Sequence, residues 1–229
     1  MTLAVVATWK GLVELLKADF HVHTEYSMDS NTPLEKVISR CLQTGINCIA
    51  VSDHGTIEGA VKMQDIASFP VIVAEEILTP IGDIIGMFLK QTIPSGLSAE
   101  QVISRIRAQG GLVYIPHPFD TLFRHALGGN MLEALVEQID IIEVFNARSP
   151  FPWYSAKARA FAQKYGIPGS AGSDAHTPGE IGNAYVEMPE FSGKDDFLNA
   201  LAQGKIFGHM ASPLVHFGSL WARVRKKFQ

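Results

Sequence analysis

The residues of this chain best suited to chemistry are histidines and acids gathered in a few short segments. Five of the eight histidines lie in four of these segments, which read His21-Val22-His23-Thr24, Ser52-Asp53-His54-Gly55, Ile115-Pro116-His117-Pro118 and Gly172-Ser173-Asp174-Ala175-His176. Imidazole nitrogens and carboxylate oxygens together form the ligand set that Zn, Mn and Fe accept. The pattern predicts a divalent metal site that is assembled from distant parts of the chain.

The position of these residues carries more information than their spacing. With eight histidines in 229 residues, roughly 0.3 His-x-His pairs arise by chance, so one pair alone says little. However, ligand-type residues end or follow six predicted strands: His21 and His23, Asp53 and His54, Glu75 and Glu76, His117, Glu143 and Asn146, and Asp174 and His176. Any one of them, such as Asp53 or Asp174, could instead be a helix cap or turn residue. All six together favour a site.

The elements that must position these residues alternate between apolar runs and amphipathic segments. Strands are predicted at 18–22, 46–51, 71–74, 84–89, 112–115, 139–145 and 167–171, with shorter ones at 185–188 and 205–208. The first helix is predicted to begin with Thr32 as its N-cap, Pro33 at its first position and Glu35 in a capping box, and to end at Gly45. Repeated β-then-α units predict a parallel α/β barrel, in which strand C-termini converge on one face. A doubly wound open sheet is the alternative.

The bulk properties fit one ordered globular domain. We expect an N-terminal extension over 1–17, a barrel over 18–210 and a C-terminal tail over 211–229. A net charge of −4 argues against stable binding of duplex nucleic acid, and we interpret the basic run from Arg223 to Lys227 as a solvated tail. Two isolated cysteines, the lack of a basic leader and the lack of a membrane-length apolar stretch predict a soluble cytoplasmic protein. The oligomeric state stays open.

Taken together, the motifs resemble the polymerase and histidinol phosphatase (PHP) domain of metal-dependent phosphoesterases. The resemblance runs from Asp19 to about Gly208, and it rests on His21-Val22-His23-Thr24 with Ser27 and Asp29, Ser52-Asp53-His54, Glu76-Ile77, His117-Pro118-Phe119 and the segment from Gly172 to His176. It implies a distorted (β/α)7 TIM-like barrel in a single domain. It also implies two or three divalent metal ions, Zn, Mn or Fe, at the C-terminal face of the barrel.

The resemblance further implies a set of ligands. One metal would be held by His21, His23, Glu76 and Asp174, and Glu76 would bridge to a second metal that His117 also binds. Asp29, His54 and His176 would complete the cluster, and the residues expected to be catalytic are His21, His23, Glu76, His117, Asp174 and His176. Glu75 is less suited than Glu76 because neighbouring strand residues point to opposite sides. Asp53 is expected to orient His54, with direct ligation left open.

One departure from the family pattern concerns the strand after the Glu motif. Many family members carry a histidine after a glycine there, whereas this chain has Asp83 after Gly82, and its role stays open. Contacts to the substrate phosphate are expected from Arg148 and Arg124, because an arginine fork matches phosphate geometry. A contact is also expected from Asn146, because the segment from Glu143 to Arg148 resembles a family element that lines the pocket.

The predicted function is hydrolysis of a phosphomonoester or phosphodiester of a small phosphorylated metabolite or nucleotide by a metal-activated water. Two alternatives remain. The first is a noncatalytic metal- or ligand-binding barrel that acts in a larger assembly. The second is an amidohydrolase-like C–N hydrolase, whose barrels also begin with His-x-His but usually carry a further histidine pair and often a carbamylated mid-barrel lysine.

Overall fold

A computed structural model of the chain describes residues 15–121, 125–212, 215, 222 and 224–226. In chain order the elements are β1 (Leu15–Val22), α1 (Leu34–Thr44), β2 (Cys48–Val51), α2 (Glu58–Ile66), β3 (Val71–Thr79), β4 (Gly82–Met87), α3 (Ala99–Ala108), β5 (Leu112–Ile115), α4 (Gly128–Leu135), β6 (Ile141–Asn146), α5 (Pro152–Tyr165), β7 (Gly169–Gly172), β8 (Ala184–Pro189), α6 (Lys194–Ala202) and β9 (Lys205–Gly208). β1 thus begins at Leu15, before the predicted start of the barrel at position 18.

The strands form one mixed sheet that curls into a nearly closed barrel. Their order is β7-β6-β5-β4-β3-β2-β1-β8-β9, with parallel pairing from β1 to β3 and from β5 to β7. The barrel closes between the end of β1 and the segment that follows β7. There Val22 forms a parallel bridge with Ala175, and the His23 N–H donates to the Ala175 carbonyl at 2.9 Å. The predicted barrel is therefore confirmed, and the open sheet is not formed.

The strict β-then-α alternation fails at two places. β4 pairs antiparallel with β3, because only Pro80 and Ile81 separate the two strands and a parallel crossover needs about a dozen residues or more. β4 is also antiparallel to β5, although α3 lies between them. β8 is antiparallel to β1 and to β9, although α6 lies between β8 and β9. Because β8 and β9 are antiparallel, α6 does not act as a parallel crossover helix. Its Phe197 is fully buried and meets Phe20 edge-on at 5.4 Å between ring centroids.

Two hydrophobic clusters cover the two faces of the sheet. The outer cluster joins helix residues such as Val37 and Met63 to strand residues such as Val51. The inner cluster joins Phe20 and other strand residues to α6. Both cysteines are buried and free.

An irregularity in β1 turns the first histidine towards the site. Phe20 belongs to the inner cluster and Val22 to the outer cluster, whereas regular alternation would place both on one side. The register of β1 against β2 shifts between Asp19 and Val22, which accounts for the change. As a result His21, directly after Phe20, also faces the barrel interior.

The start of α1 differs from the prediction, whereas its end agrees. The N-cap is Pro33 without a side-chain bond, and the hydroxyl of Thr32 donates instead to the His176 carbonyl at 2.8 Å. Thr32 thus ties the helix start to the β7 loop. Gly45 ends the helix as predicted, with a left-handed φ of 74°. Within the part of the chain that is described, no helix has the length and apolar character needed to cross a membrane.

Candidate metal centre

The centre of the candidate site is a buried group formed by His21, His23 and Glu76. The Nε2 atoms of the two histidines lie 3.1 Å apart, and Glu76 Oε2 lies 3.1 Å from the first and 3.2 Å from the second. Asp174 Oδ1 approaches the same nitrogens at 3.8 Å and 3.6 Å. These four side chains come from β1 and the residue after it, from β3 and from the loop after β7, and their donor atoms converge on one point.

The other oxygen of Glu76 faces a second group. Glu76 Oε1 lies 3.0 Å from His117 Nε2, and the carboxylate of Asp83 completes a set of three ligand atoms within 4.8 Å of one another. Asp83 lies on β4, which runs antiparallel to its two neighbours and so departs from the predicted alternation. This departure brings the Asp83 carboxylate to the site. The sequence left the role of Asp83 open.

A third group lies on the opposite side of Glu76. Asp29 Oδ2 is 3.1 Å from His176 Nε2 and 3.5 Å from His54 Nε2, which in turn is 3.5 Å from Glu76 Oε2. His23 also belongs to this set, since its ligand atom lies within 4.8 Å of those of Asp29 and His176. All eight metal ligands that the resemblance implied therefore lie in one buried cluster.

Two of these residues have a backbone conformation that L-amino acids rarely adopt. The φ angle is 28° at His117 and 54° at Asp174. Such left-handed conformations persist only where the surrounding structure enforces them, and they concentrate at functional sites. The loops after β5 and β7 thus turn sharply, and both of these side chains lie in the cluster.

Two histidines of the cluster are held in the orientation that suits metal ligation. His21 Nδ1 lies 3.1 Å from Glu143 Oε1, and His54 Nδ1 lies 3.3 Å from the Glu76 carbonyl. A neutral imidazole that donates from Nδ1 to such an acceptor keeps its lone pair on Nε2, which points into the cluster. Ligating histidines are commonly held in this way by a carboxylate or carbonyl oxygen.

Glu143 supports the site although it was not among the predicted site residues. Besides His21, it accepts from the Tyr114 hydroxyl at 2.9 Å, from the His117 N–H at 2.7 Å and from Asn146 Nδ2 at 2.9 Å. In the sequence it lies at the end of the fifth parallel strand, in the segment that resembles a family element, but neither signal separated it from an ordinary strand-end acid.

The Asp53 side chain contacts the β1 loop rather than the ring of His54. Its two oxygens accept from the N–H and from the hydroxyl of Thr24, both at 2.6 Å. Asp19 has a similar role on the other side of β1, where it accepts from the N–H groups of Ser173 at 2.8 Å and Gly182 at 3.1 Å. Both buried acids fix the backbone around the histidines.

The residues expected to bind the substrate phosphate are found in other roles or lie outside the described residues. Asn146 donates to Glu143 and, at 3.2 Å, to Asp174 Oδ2. Arg148 is 2% exposed; its guanidinium contacts the ring of His176 and pairs with Glu180 at 3.2 Å. Arg124 lies outside the described residues.

The charges of the cluster shift its pKa values strongly. Burial alone would lower the pKa of His21, but the carboxylates of Asp174, Glu76 and Glu143 raise it well above its usual value. Burial would also lower the pKa of His54, but Glu76 and Asp29 raise it to about 9. Burial and neighbouring positive charge lower the pKa of His176 to about 4.

The carboxylates of the cluster show the complementary effect. Burial would raise the pKa of Glu76, but His21 and His54 hold it well below its usual range. Likewise burial would raise the pKa of Asp29, but His176 and His54 lower it. Burial, with the charge of Glu76, raises the pKa of Asp83 to about 6.

The donor set fits divalent cations. Nε2 lone pairs and carboxylate oxygens approach one another to about hydrogen-bond distance, and the buried Nδ1 of His23 has no hydrogen-bond partner among the described residues. Such a concentration of acceptors is unfavourable unless protons or cations lie between them. Imidazole nitrogens and carboxylate oxygens are ligands that divalent metal ions accept in proteins.

Comparison with known proteins gives matches at both ends of the barrel. The PHP domain model matches residues 19–86, and a model described as PHP-associated matches residues 152–206. An uncharacterized protein of Methanocaldococcus jannaschii is 35% identical over 196 residues, which cover 81% of this chain and 79% of that protein.

Solved structures share the fold. A two-domain protein of Bacteroides vulgatus, described as containing a predicted PHP-like metal-dependent phosphoesterase, has a TM-score of 0.65 at 19% identity over 86% of this chain. This chain spans 65% of the length of that protein. Endonuclease Q, solved with a 27-mer duplex that carries an abasic lesion, has a TM-score of 0.61 at 14% identity over 82% of this chain and 56% of that one.

The sequence matches and the fold agree with the residues of the cluster. The PHP domain model covers the segment that contains His21, His23, Asp29, His54, Glu76 and Asp83. The archaeal relative extends the match over most of the chain. The chain belongs to the PHP domain family.

Proposed function

We propose that this protein is a metal-dependent phosphoesterase that hydrolyses a small phosphorylated metabolite or nucleotide with a metal-activated water. The observation that carries the proposal is the position of Glu76. Its Oε2 lies against His21 and His23, whereas its Oε1 lies against His117, so one carboxylate is shared by two sets of ligand atoms. A shared carboxylate is what brings two cations close enough to act on one phosphate group.

The described residues would hold two or three ions. His21, His23, Glu76 and Asp174 would hold the first, and Glu76, His117 and Asp83 the second. Asp29, His54 and His176 would hold the third. When bound, such ions lower the pKa of a coordinated water towards neutrality and offset the charge of the phosphate ester.

The surrounding side chains keep these donors in place. Glu143 holds the Nδ1 proton of His21, which leaves Nε2 free to bind, and Asn146 bridges Glu143 to Asp174. Arg148 lies behind His176 and is almost fully buried. We therefore assign Asn146 and Arg148 to orienting ligands, and phosphate binding to the ions, with Arg124 as a predicted additional contact.

Metal reconstitution with a substrate panel tests the proposal. The purified protein would be stripped with a chelator, reloaded with Zn²⁺, Mn²⁺ or Fe²⁺, and assayed on mononucleotides, dinucleotides, sugar phosphates and histidinol phosphate. His21→Ala and Asp174→Ala should abolish metal-stimulated cleavage without loss of the fold. His209→Ala is the matched control, because His209 is exposed and lies outside the cluster.

The alternatives give different results in the same experiment. Full activity in both cluster variants would contradict the site assignment. Cleavage of amides but not of phosphate esters would support the amidohydrolase alternative. A well-folded wild-type protein that binds metal and cleaves no ester would support the noncatalytic barrel.

A further inference from the structure

The C-terminal part of the chain contacts the loop between β1 and α1. Lys226 Nζ donates to the carbonyl oxygens of Glu25 at 2.6 Å and Ser27 at 2.5 Å. This loop also carries Asp29, a member of the third ligand group.

Ser27 links this contact to the ligands. The Ser27 hydroxyl donates to Asp29 Oδ1 at 2.7 Å and accepts from the His54 N–H at 3.3 Å. Ser27 is fully buried, so a displacement of Ser27 would also displace Asp29 and His54. Lys226 therefore fixes the backbone of a residue that holds two of the three ligands in this group.

A second C-terminal contact reaches the remaining ligand from the other side. The Val215 carbonyl accepts from Arg148 Nη2 at 3.1 Å. Arg148 in turn contacts the ring of His176 and donates to the Asp174 carbonyl at 3.3 Å. Two separate contacts of the C-terminal part thus converge on the same ligand group.

We propose that Lys226 and Val215 form a positioning element for the metal position of Asp29, His54 and His176. The proposal rests on the metal sites of the proposed function. The group of His21, Glu76 and Asp174 is held by contacts in which Lys226 takes no part, among them the bond between Glu143 and His21 and the bond from the Ser173 N–H to Asp19. Removal of Lys226 is then expected to weaken binding at the position of Asp29, His54 and His176 and to leave the other positions unchanged.

Lys226 can affect metal affinity because it restricts the conformational freedom of the β1–α1 loop. An ammonium group that bonds two carbonyl oxygens ties the loop at two points, and bonds to charged groups are the stronger ones. Without these bonds the two carbonyls return to water, and Asp29 must be ordered by the ion itself. Outer-shell contacts of this kind change metal affinity by about 10- to 100-fold.

Titration of the full-length, metal-stripped protein with Mn²⁺ tests the proposal, with free Mn²⁺ followed by electron paramagnetic resonance. In Lys226→Ala, one Mn²⁺ equivalent should bind about 10-fold or more weakly, while the other equivalents keep their affinity. Arg225→Ala removes the same charge from an exposed neighbour and should match the wild type. Lys226→Arg should restore most of the loss, because a guanidinium can donate to both carbonyls.

A second readout uses the metal-free protein. Ring resonances of His54 and His176 in nuclear magnetic resonance spectra should shift in Lys226→Ala, and those of His21 should not. An equal loss in all equivalents, or identical behaviour of Lys226→Ala and Arg225→Ala, would overturn the proposal. If the wild type binds no Mn²⁺, Zn²⁺ or Fe²⁺, the proposed function fails together with this proposal. If the wild type binds these ions but Lys226→Ala behaves like Arg225→Ala, only this proposal fails.

Discussion

Replacing Glu143 by glutamine gives the sharpest test of how the site is held. The side chain is buried and accepts four hydrogen bonds, from His21 Nδ1 and the Tyr114 hydroxyl at Oε1, and from the His117 N–H and Asn146 Nδ2 at Oε2. Glutamine has nearly the same shape, but one of its two terminal groups is a donor. Glu143→Gln therefore changes hydrogen bonding with little change in packing.

The direction of the new amide is determined by its neighbours. The backbone N–H of His117 and the amide group of Asn146 can only donate here, so the amide oxygen must face them. The new NH₂ group then faces His21 Nδ1. His21 either keeps its Nδ1 proton and loses a partner, or moves the proton to Nε2, the atom that would bind the metal.

The expected magnitude follows from this choice. Losing an outer-shell partner of a ligating histidine weakens metal binding by about 10- to 100-fold. That range corresponds to about 1.4 to 2.7 kcal/mol, which agrees with the ~1.5 to 3 kcal/mol that a hydrogen bond to a charged group contributes. Phosphoesterase activity at limiting metal should fall by a similar factor.

The assay is a competition titration with a metal indicator, combined with ¹⁵N spectra that report the tautomer of His21. Glu133→Gln is the control, because Glu133 is an exposed helix residue with a side chain 53% accessible to solvent. Far-ultraviolet circular dichroism should show that both variants fold. Unchanged metal affinity in Glu143→Gln, with His21 still protonated at Nδ1, would refute the reasoning.

Three further predictions follow from the same geometry. Gly172→Ala places a methyl group 2.3 Å from His21 Cβ, so it should cost about 1 to 3 kcal/mol in chemical unfolding, whereas Gly179→Ala, with nothing within 4 Å, should be nearly neutral. Asp83→His replaces an oxygen ligand by nitrogen and should shift metal preference from Mn²⁺ towards Zn²⁺ by elemental analysis; an unchanged preference would count against Asp83 as a ligand. In the metal-free protein the pKa of His54 rises from 6.5 to about 9, so its stabilising effect is complete below pH 6.5 and is lost as the pH rises through 9. Metal binding must displace that proton and should therefore strengthen with pH over the same window, as proton release in calorimetry would show; a flat profile would contradict this.

Most strands and helices were predictable because they depend on local patterns. The capping box of Ser98 and Gln101 at the start of α3 depends on residues only three positions apart, and the left-handed Gly45 that ends α1 is likewise a local signal. Thr32 was wrong as an N-cap for the opposite reason. Its hydroxyl bonds His176, a partner 144 positions away, and no local pattern reports such a contact.

The antiparallel strands show the same limit. Apolar runs reveal that β4 and β8 exist, but direction depends on the connection and on the neighbours across the sheet. The reversal at β4 brings Asp83 beside Glu76 and His117, a role that the spacing of residues left open. The shift in β1 that turns His21 inwards is also a property of pairing with β2.

The sequence by itself determined which residue types are available for metal binding and that they follow strand ends, because both depend on composition and on patterns a few residues long. Together with the resemblance to the PHP domain, it predicted the barrel and eight of the residues that the structure gathers into the cluster, whereas the role of Asp83 stayed open. Only the tertiary structure decided how they are grouped and supported: Glu76 shared between two groups, Glu143 behind His21, and Lys226 on the loop that carries Asp29. Hydrogen bonds and charge pairs act over a few ångströms, and residues far apart in the chain come that close only when the barrel closes.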